Sequence, residues 1–121
     1  MTAPYEKLKV WQLAHQLALQ IYKITASFPP TERYGLASQM RRAATAIATN
    51  IVEGNARNHR REYVQFCHIA RSSAVELKYL IQLSRDLGLL APDEFTPPFN
   101  RANQVSALLY TMVGKLAVKS D

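Results

Sequence analysis

The sequence predicts an all-α protein that folds as an antiparallel, up-down-up-down four-helix bundle. Prolines divide the chain into long proline-free stretches, and apolar residues recur within each stretch at spacings of three and four, as on a helix with one apolar face. Only four of the 121 residues are glycine, which argues against a turn-rich all-β chain. Because helices with short connections pack as antiparallel neighbours, we expect one bundle domain comprising residues 1–121.

The first helix is predicted over about residues 5–27, and the loop Phe28-Pro29-Pro30-Thr31 should end it. The second is predicted over about residues 32–55, where several alanines make the helix slim enough for a neighbour to approach closely. Its expected inner face comprises Leu36, Met40, Ala43, Ile47, Ile51 and Gly54.

The third helix is predicted over about residues 59–87, with Asn58 as its N-cap and Gly88 just beyond its end. A proline-containing loop over 89–98 should separate it from a fourth helix over about residues 99–118.

The first and third helices each carry two apolar stripes, more than one bundle needs to bury. We therefore expect copies of the chain to self-associate, although a wide core face in a compact bundle would also explain the pattern. On the third helix one stripe is Phe66, Ile69, Ser73, Glu76, Leu80, Leu83 and Leu87, and the other is Tyr63, Cys67, Ala70, Ala74, Leu77 and Ile81.

The composition of the chain favours some classes of function and excludes others. Fifteen Lys and Arg against nine Asp and Glu give a net charge of +6, which favours a polyanionic partner, although solubility alone would also explain it. The single cysteine excludes an internal disulfide and a Cys-rich zinc site. The N-terminus lacks the apolar segment of a secretory signal, and no apolar run is long enough to span a membrane, so we predict a cytoplasmic protein.

A series of motifs in the second and third helices resembles a known family. The chain is similar to the small bacterial four-helix bundle proteins, also called 23S ribosomal RNA intervening-sequence proteins, over roughly residues 5–90. The residues that carry the resemblance are Tyr5 to Trp11, Glu32 to Leu36, Gln39 to Ala44, Ile47, Asn50 to Asn55, Arg57, Glu62-Tyr63, Phe66, Ile69 to Arg71, Ser73 and Glu76-Leu77.

The resemblance implies a four-helix bundle that assembles into a ring, expected to be a homopentamer. It implies no settled activity, although some members are encoded within genes for large-subunit ribosomal RNA and a distant branch is associated with reverse transcriptase and nucleic acid. This chain has Ala48 and Ser72 where members often have proline and glycine, and both departures are small.

A cluster of arginines is the main candidate for function. Within 31 residues the cluster is opposed only by Glu53 and Glu62, and two of its members would lie in the first turn of the third helix, where the helix dipole attracts anions such as phosphate. Arginine also binds phosphate oxygens through paired donors. The predicted nucleic-acid-binding residues are Arg41, Arg42, Arg57, Arg60, Arg61 and Arg71, and the alternative is a solvated corner with ion pairs inside the chain.

Polar residues on the predicted inner faces form a second candidate set. Buried carboxylates are costly unless they are paired, so we expect a structural network with Arg42 or Arg57 as partners, within one bundle or across subunits. Its members are Asn50, Glu53, Glu62, Ser73 and Glu76.

The sequence motifs give little support for a catalytic site or a cofactor site. No Glu-x-x-His motif of a di-metal bundle occurs, the three histidines are scattered, and Cys67 lies on an apolar stripe, as a small core residue would. We therefore predict no enzymatic activity, no metal, no cofactor, no small-molecule substrate and no membrane association. The predicted function is an oligomeric binding module whose arginine-rich edge contacts RNA or DNA, and the alternative is a structural scaffold that binds no nucleic acid.

Overall fold

The computed structural model describes residues 4–118 and contains four α-helices packed against one another. No strand occurs within the described residues, so the predicted all-α class is confirmed. Two short 3-10 segments, Pro4–Lys7 and Pro30–Glu32, precede the first and second helices. The helices are α1 Lys9–Thr25, α2 Leu36–Asn55, α3 Arg60–Asp86 and α4 Pro92–Val118.

The helices form a closed square in which α1 and α3 each pack against both α2 and α4. Side-chain contacts fix the antiparallel directions. Arg85, near the end of α3, lies over Phe95, near the start of α4, whereas Arg71, earlier in α3, lies over Tyr110, later in α4. This arrangement confirms the predicted four-helix bundle of one chain.

The core is apolar, and it uses the predicted inner face of α2 throughout. The two apolar stripes of α1 form one wide buried face, so most of the apolar side chains of α1 are buried within the chain. On α3 the stripe through Ala70, Ala74 and Ile81 is buried, whereas the other stripe is buried at Leu80 but about half exposed at Ile69 and Leu87. The largest fully buried side chains include Leu17, Ile21, Met40, Ile47, Ile51, Leu77, Ile81, Val105 and Leu109.

The ends of α3 follow local chain chemistry. Gly88 adopts a positive φ of 77°, and the Gly88 and Leu89 amides donate to the carbonyl groups of Arg85 and Ser84, so the predicted helix stop is confirmed. At the other end the predicted N-cap is wrong by one residue, because His59, in extended conformation, holds that position instead of Asn58.

The predicted start of the fourth helix is wrong, since α4 begins at Pro92 rather than near residue 99. Proline is well suited to the first helical position, and the Glu94 carboxylate accepts a hydrogen bond from the Ala91 amide at 2.9 Å. Pro97 and Pro98 lie inside the helix, where each removes a backbone donor. Burial of Pro98 and stacking of Phe95 on Phe99 offset that loss through tertiary packing.

The first two helices are also shorter than predicted. Leu8, in extended conformation, separates the 3-10 turn from α1, which ends at Thr25 before the two prolines. Residues 30–32 form a 3-10 turn, and Gly35, with φ −102° and ψ −107°, delays the start of α2 to Leu36.

Candidate nucleic-acid interface

The antiparallel fold distributes the six predicted arginines over three regions of the surface. Arg57, Arg60 and Arg61, which we call the turn arginines, lie at the connection between α2 and α3 and in the first turn of α3. Arg41 and Arg42 lie thirteen or more residues before the end of α2, which corresponds to about 20 Å along its axis. Arg71 lies in the middle of α3. The predicted edge is therefore not one continuous patch in a single chain.

The turn arginines border two adjoining clefts at one end of the bundle. A cleft of about 300 Å³ is lined by Arg57, His59, Arg60 and Leu116 among others, and one of about 400 Å³ by Arg60, Arg61, His68 and Leu116 among others. The Arg57 guanidinium lies 4.8 Å from the Phe66 ring centroid, and this contact holds the positive charge of Arg57 beside the clefts.

Electrostatics at this end favour an anion. The N-terminus of α3 carries the positive end of the helix dipole, and the His59 side chain caps none of its amides. Lys9 at the start of α1 and Lys115 near the end of α4 lie at the same end of the antiparallel bundle. Polyanions are the ligands that such a surface attracts.

Arg41 and Arg42 are adjacent but have different roles. The Arg41 Nε donates to Thr25 Oγ1 at 2.8 Å, its Nη2 donates to the Tyr22 carbonyl oxygen at 3.2 Å, and its guanidinium stacks over the Tyr22 ring. Arg41 therefore ties α2 to the last turn of α1. Arg42 is exposed, and its guanidinium has no partner among the described residues.

A third cleft, of about 410 Å³, lies beside Arg41 and Arg42, and we call it the Tyr34 cleft. The sequence reasoning missed two of its residues, Arg33 and Tyr34. Both residues precede α2, so helical periodicity does not relate them to Arg41, but both lie inside the segment that resembles the family. Their place in that segment was the available signal. The lining comprises Tyr22, Arg33, Tyr34, Ser38, Arg41, Arg42 and Thr45.

Arg71 belongs to a stripe of cations on α3 that face α4. Arg71, Lys78 and Arg85 recur every seven residues, so they share one helix face. Their charged groups lie 5.1, 6.0 and 4.5 Å from the ring centroids of Tyr110, Phe99 and Phe95, respectively. These contacts give Arg71 a packing role between α3 and α4.

The predicted polar network does not line the interior of the single chain. Glu53, Glu62 and Glu76 are exposed, so the expectation that they occupy inner faces is wrong for one bundle. The physical reason is their position on each helix, since Glu53 and Glu76 lie about 100° or more from the centre of the buried face and Glu62 precedes the first buried residue of α3. Asn50 is partly exposed and donates to the Ala46 carbonyl oxygen at 2.7 Å, and Ser73 is also partly exposed. A network across subunits stays a prediction.

The single cysteine, Cys67, is buried in the core. Burial raises the pKa of the Cys67 thiol from its usual 9.0 to about 11, so the thiol stays protonated at neutral pH. In the same residues no group of three or more His, Cys, Asp or Glu side chains is arranged to hold a metal ion. Nor is any helix of the described chain long and apolar enough to cross a membrane.

Comparisons with known proteins agree with the motifs in α2 and α3. The sequence model of the 23S rRNA-intervening sequence protein family matches residues 6–111. A solved structure from Bacteroides thetaiotaomicron, described as a protein with unknown function from the S23 ribosomal protein family, is 20% identical with a TM-score of 0.78. The match covers 86% of this chain and 97% of that chain, and it shows a shared fold. No curated protein matches the chain significantly.

Proposed function

The chain belongs to the family of 23S rRNA-intervening sequence proteins, and from this premise we propose that it is a non-enzymatic, oligomeric bundle protein whose turn arginines contact RNA or DNA. One observation carries the proposal: three arginines surround the uncapped N-terminus of α3 at the end of the bundle where Lys9 and Lys115 also lie. A phosphate backbone is the polyanion that such a surface fits best. A cytoplasmic location would give the protein access to RNA.

The exposed residues of the α3 stripe that contains Ile69 and Leu87 support the oligomeric part of the proposal. Ile69 and Leu87 are 48% and 57% exposed, and Glu62 and Glu76 lie seven residues on either side of Ile69. We expect this stripe to be covered by a second copy of the chain, with Asn50, Glu53 and Ser73 near the contact. A ring of five copies is the assembly we expect, and it would bring these carboxylates close to the neighbouring copy.

Binding of a fluorescent 20-nucleotide single-stranded RNA, followed by anisotropy at several salt concentrations, tests the proposal. We expect the triple variant Arg57→Ala/Arg60→Ala/Arg61→Ala to bind more weakly and to lower the slope of log K against log salt by about 2, since each single-strand phosphate contact contributes about 0.7. The control Lys23→Ala/Arg85→Ala/Arg101→Ala removes the same charge at the opposite end and should change the slope less. Equal slopes for wild type and the turn variant would contradict the assignment.

A structural scaffold without a nucleic-acid ligand is the second candidate function. It is favoured by the many large apolar side chains that the surface of one chain leaves exposed, which a protein partner would bury. They are Leu19, Tyr22, Tyr34, Ile69, Val75, Tyr79, Leu87 and Tyr110. A stable oligomer that binds neither RNA nor DNA at low salt would favour the scaffold.

A further inference from the structure

We propose that the Tyr34 cleft binds a phosphate group of a single-stranded nucleic acid and that the neighbouring base stacks on Tyr34. This inference rests on the proposed function, but it concerns different side chains at the opposite end of the bundle from the turn arginines. The cleft, of about 410 Å³, is within the size range of small-molecule sites and therefore has room for one nucleotide unit.

Arg41 provides a fixed donor group in the cleft. Its bonds to Thr25 Oγ1 and the Tyr22 carbonyl oxygen and its stacking on the Tyr22 ring hold the guanidinium in one orientation. A guanidinium has five N–H donors, and these bonds use two of them, so three stay available to a ligand. A donor group ordered before binding loses little conformational freedom when an anion arrives.

Arg33 and Arg42 add two more positive charges to the same cleft. Both are exposed, and neither guanidinium forms an ion pair or hydrogen bond with a described residue. No carboxylate lines the cleft. The nearest acidic residue along the chain, Glu32, has its carboxylate oxygen 3.4 Å from the Leu36 amide, at the start of α2. Three guanidinium groups without a counterion match the charge and oxygen geometry of phosphate.

Tyr34 gives the cleft a surface for a nucleobase. Its side chain is 89% exposed, the highest exposure of any large hydrophobic residue in the described chain, although it adjoins the arginines. Burial in one chain therefore does not explain an aromatic residue here. Aromatic rings beside a basic groove bind single strands by stacking on bases, with little sequence preference.

Anisotropy of labelled oligouridine at several salt concentrations separates the two contacts. The variant Arg33→Gln/Arg42→Gln should lower the salt slope by about 1.4, because two phosphate contacts are lost. Tyr34→Ala should weaken binding about 5- to 100-fold with little change in slope, because stacking is uncharged. The charge-matched Lys23→Gln/Arg85→Gln variant and the exposed Tyr79→Ala variant are controls, because none of these residues lines the cleft or lies at the end of the turn arginines, and circular dichroism should show all four variants folded.

Oligouridine with a 5′-phosphate and with a 5′-hydroxyl distinguishes the source of the phosphate. A larger effect of Arg33→Gln/Arg42→Gln on the 5′-phosphorylated strand supports binding of a strand end, and equal effects on both support an internal phosphodiester.

If the cleft variants bind as the controls do while the turn variant is weakened, the cleft assignment is wrong and the proposed function stands. If the turn variant also binds like wild type, both fail.

Discussion

Two adjacent arginines in α2 show how residue type alone leaves a role undecided. Arg41 ties α2 to the last turn of α1 through two hydrogen bonds and a stacked ring, whereas Arg42, one position later, points to solvent. A step of 100° around the helix separates them, which is enough to turn one toward α1 and the other away from it. The sequence predicted both as ligand contacts, because it contains no local sign of the bond to Thr25.

We expect Arg41→Ala to lower the free energy of unfolding by about 1–2 kcal/mol, because charged hydrogen bonds and a cation–π contact are lost at a partly buried site. Arg42→Ala is the matched control and should change it by less than about 0.5 kcal/mol. Urea denaturation followed by circular dichroism measures both values. Equal losses in the two variants would show that the link to α1 contributes little to stability.

At the scale of the helices, periodicity predicted their existence and local chemistry decided their ends. The end of α3 at Gly88 could be predicted from the sequence because a positive φ favours glycine. The sequence prediction missed the start of α4, although Pro92 and Glu94 are local start signals, because Pro97 and Pro98 normally argue against a helix interior. The packing of Pro98 and of the stacked Phe95 and Phe99 offsets their cost, and that packing depends on residues distant in sequence.

The close approach of α2 and α3 depends on Gly54. A Cβ atom at this position would lie 2.8 Å from Phe66 Cβ and 3.1 Å from the Tyr63 ring, and Phe66 Cβ cannot move without its backbone. We therefore expect Gly54→Ala to destabilise the protein by about 1–2 kcal/mol, since overpacking outweighs the better helix propensity of alanine.

Gly114 offers the matched control, because it is also helical but has nothing within 4 Å of an added Cβ. Gly114→Ala should raise the free energy of unfolding by about 0.5–1 kcal/mol. Thermal or urea unfolding of the two variants distinguishes the effects by their opposite signs. Stabilisation by both substitutions would mean that α2 and α3 can separate at this crossing without cost.

At the scale of the whole molecule, α3 separates two kinds of surface. Arg71, Lys78 and Arg85 face α4 over aromatic rings, whereas Glu62, Ile69 and Glu76 follow the outer flank beside α2. The sequence predicted the six arginines between Arg41 and Arg71 as one group because they lie close along the chain. The antiparallel hairpin of α2 and α3 instead carries them to separate regions, and it leaves the predicted carboxylate network outside the core.

The exposed α3 flank predicts the effect of a charge at Ile69. We expect the wild-type protein to have a mass near five times the 13.7 kDa of one chain in light scattering after size-exclusion chromatography. Ile69→Glu should shift it toward the single-chain mass, because a third carboxylate would join Glu62 and Glu76 at the contact. Gln104→Glu adds the same charge on exposed α4 and should leave the mass unchanged. A wild-type monomer at micromolar concentration would contradict self-association.

Contact between nucleic acid and the arginine-bearing ends is the central claim, and ultraviolet cross-linking to single-stranded RNA followed by mass spectrometry of the peptides tests it most directly. We expect adducts on peptides that contain the turn arginines and on the peptide that contains Tyr34, with the α3 flank around Tyr79 unmodified. The absence of adducts, or adducts confined to the acidic flank of Glu62 and Glu76, would contradict the claim.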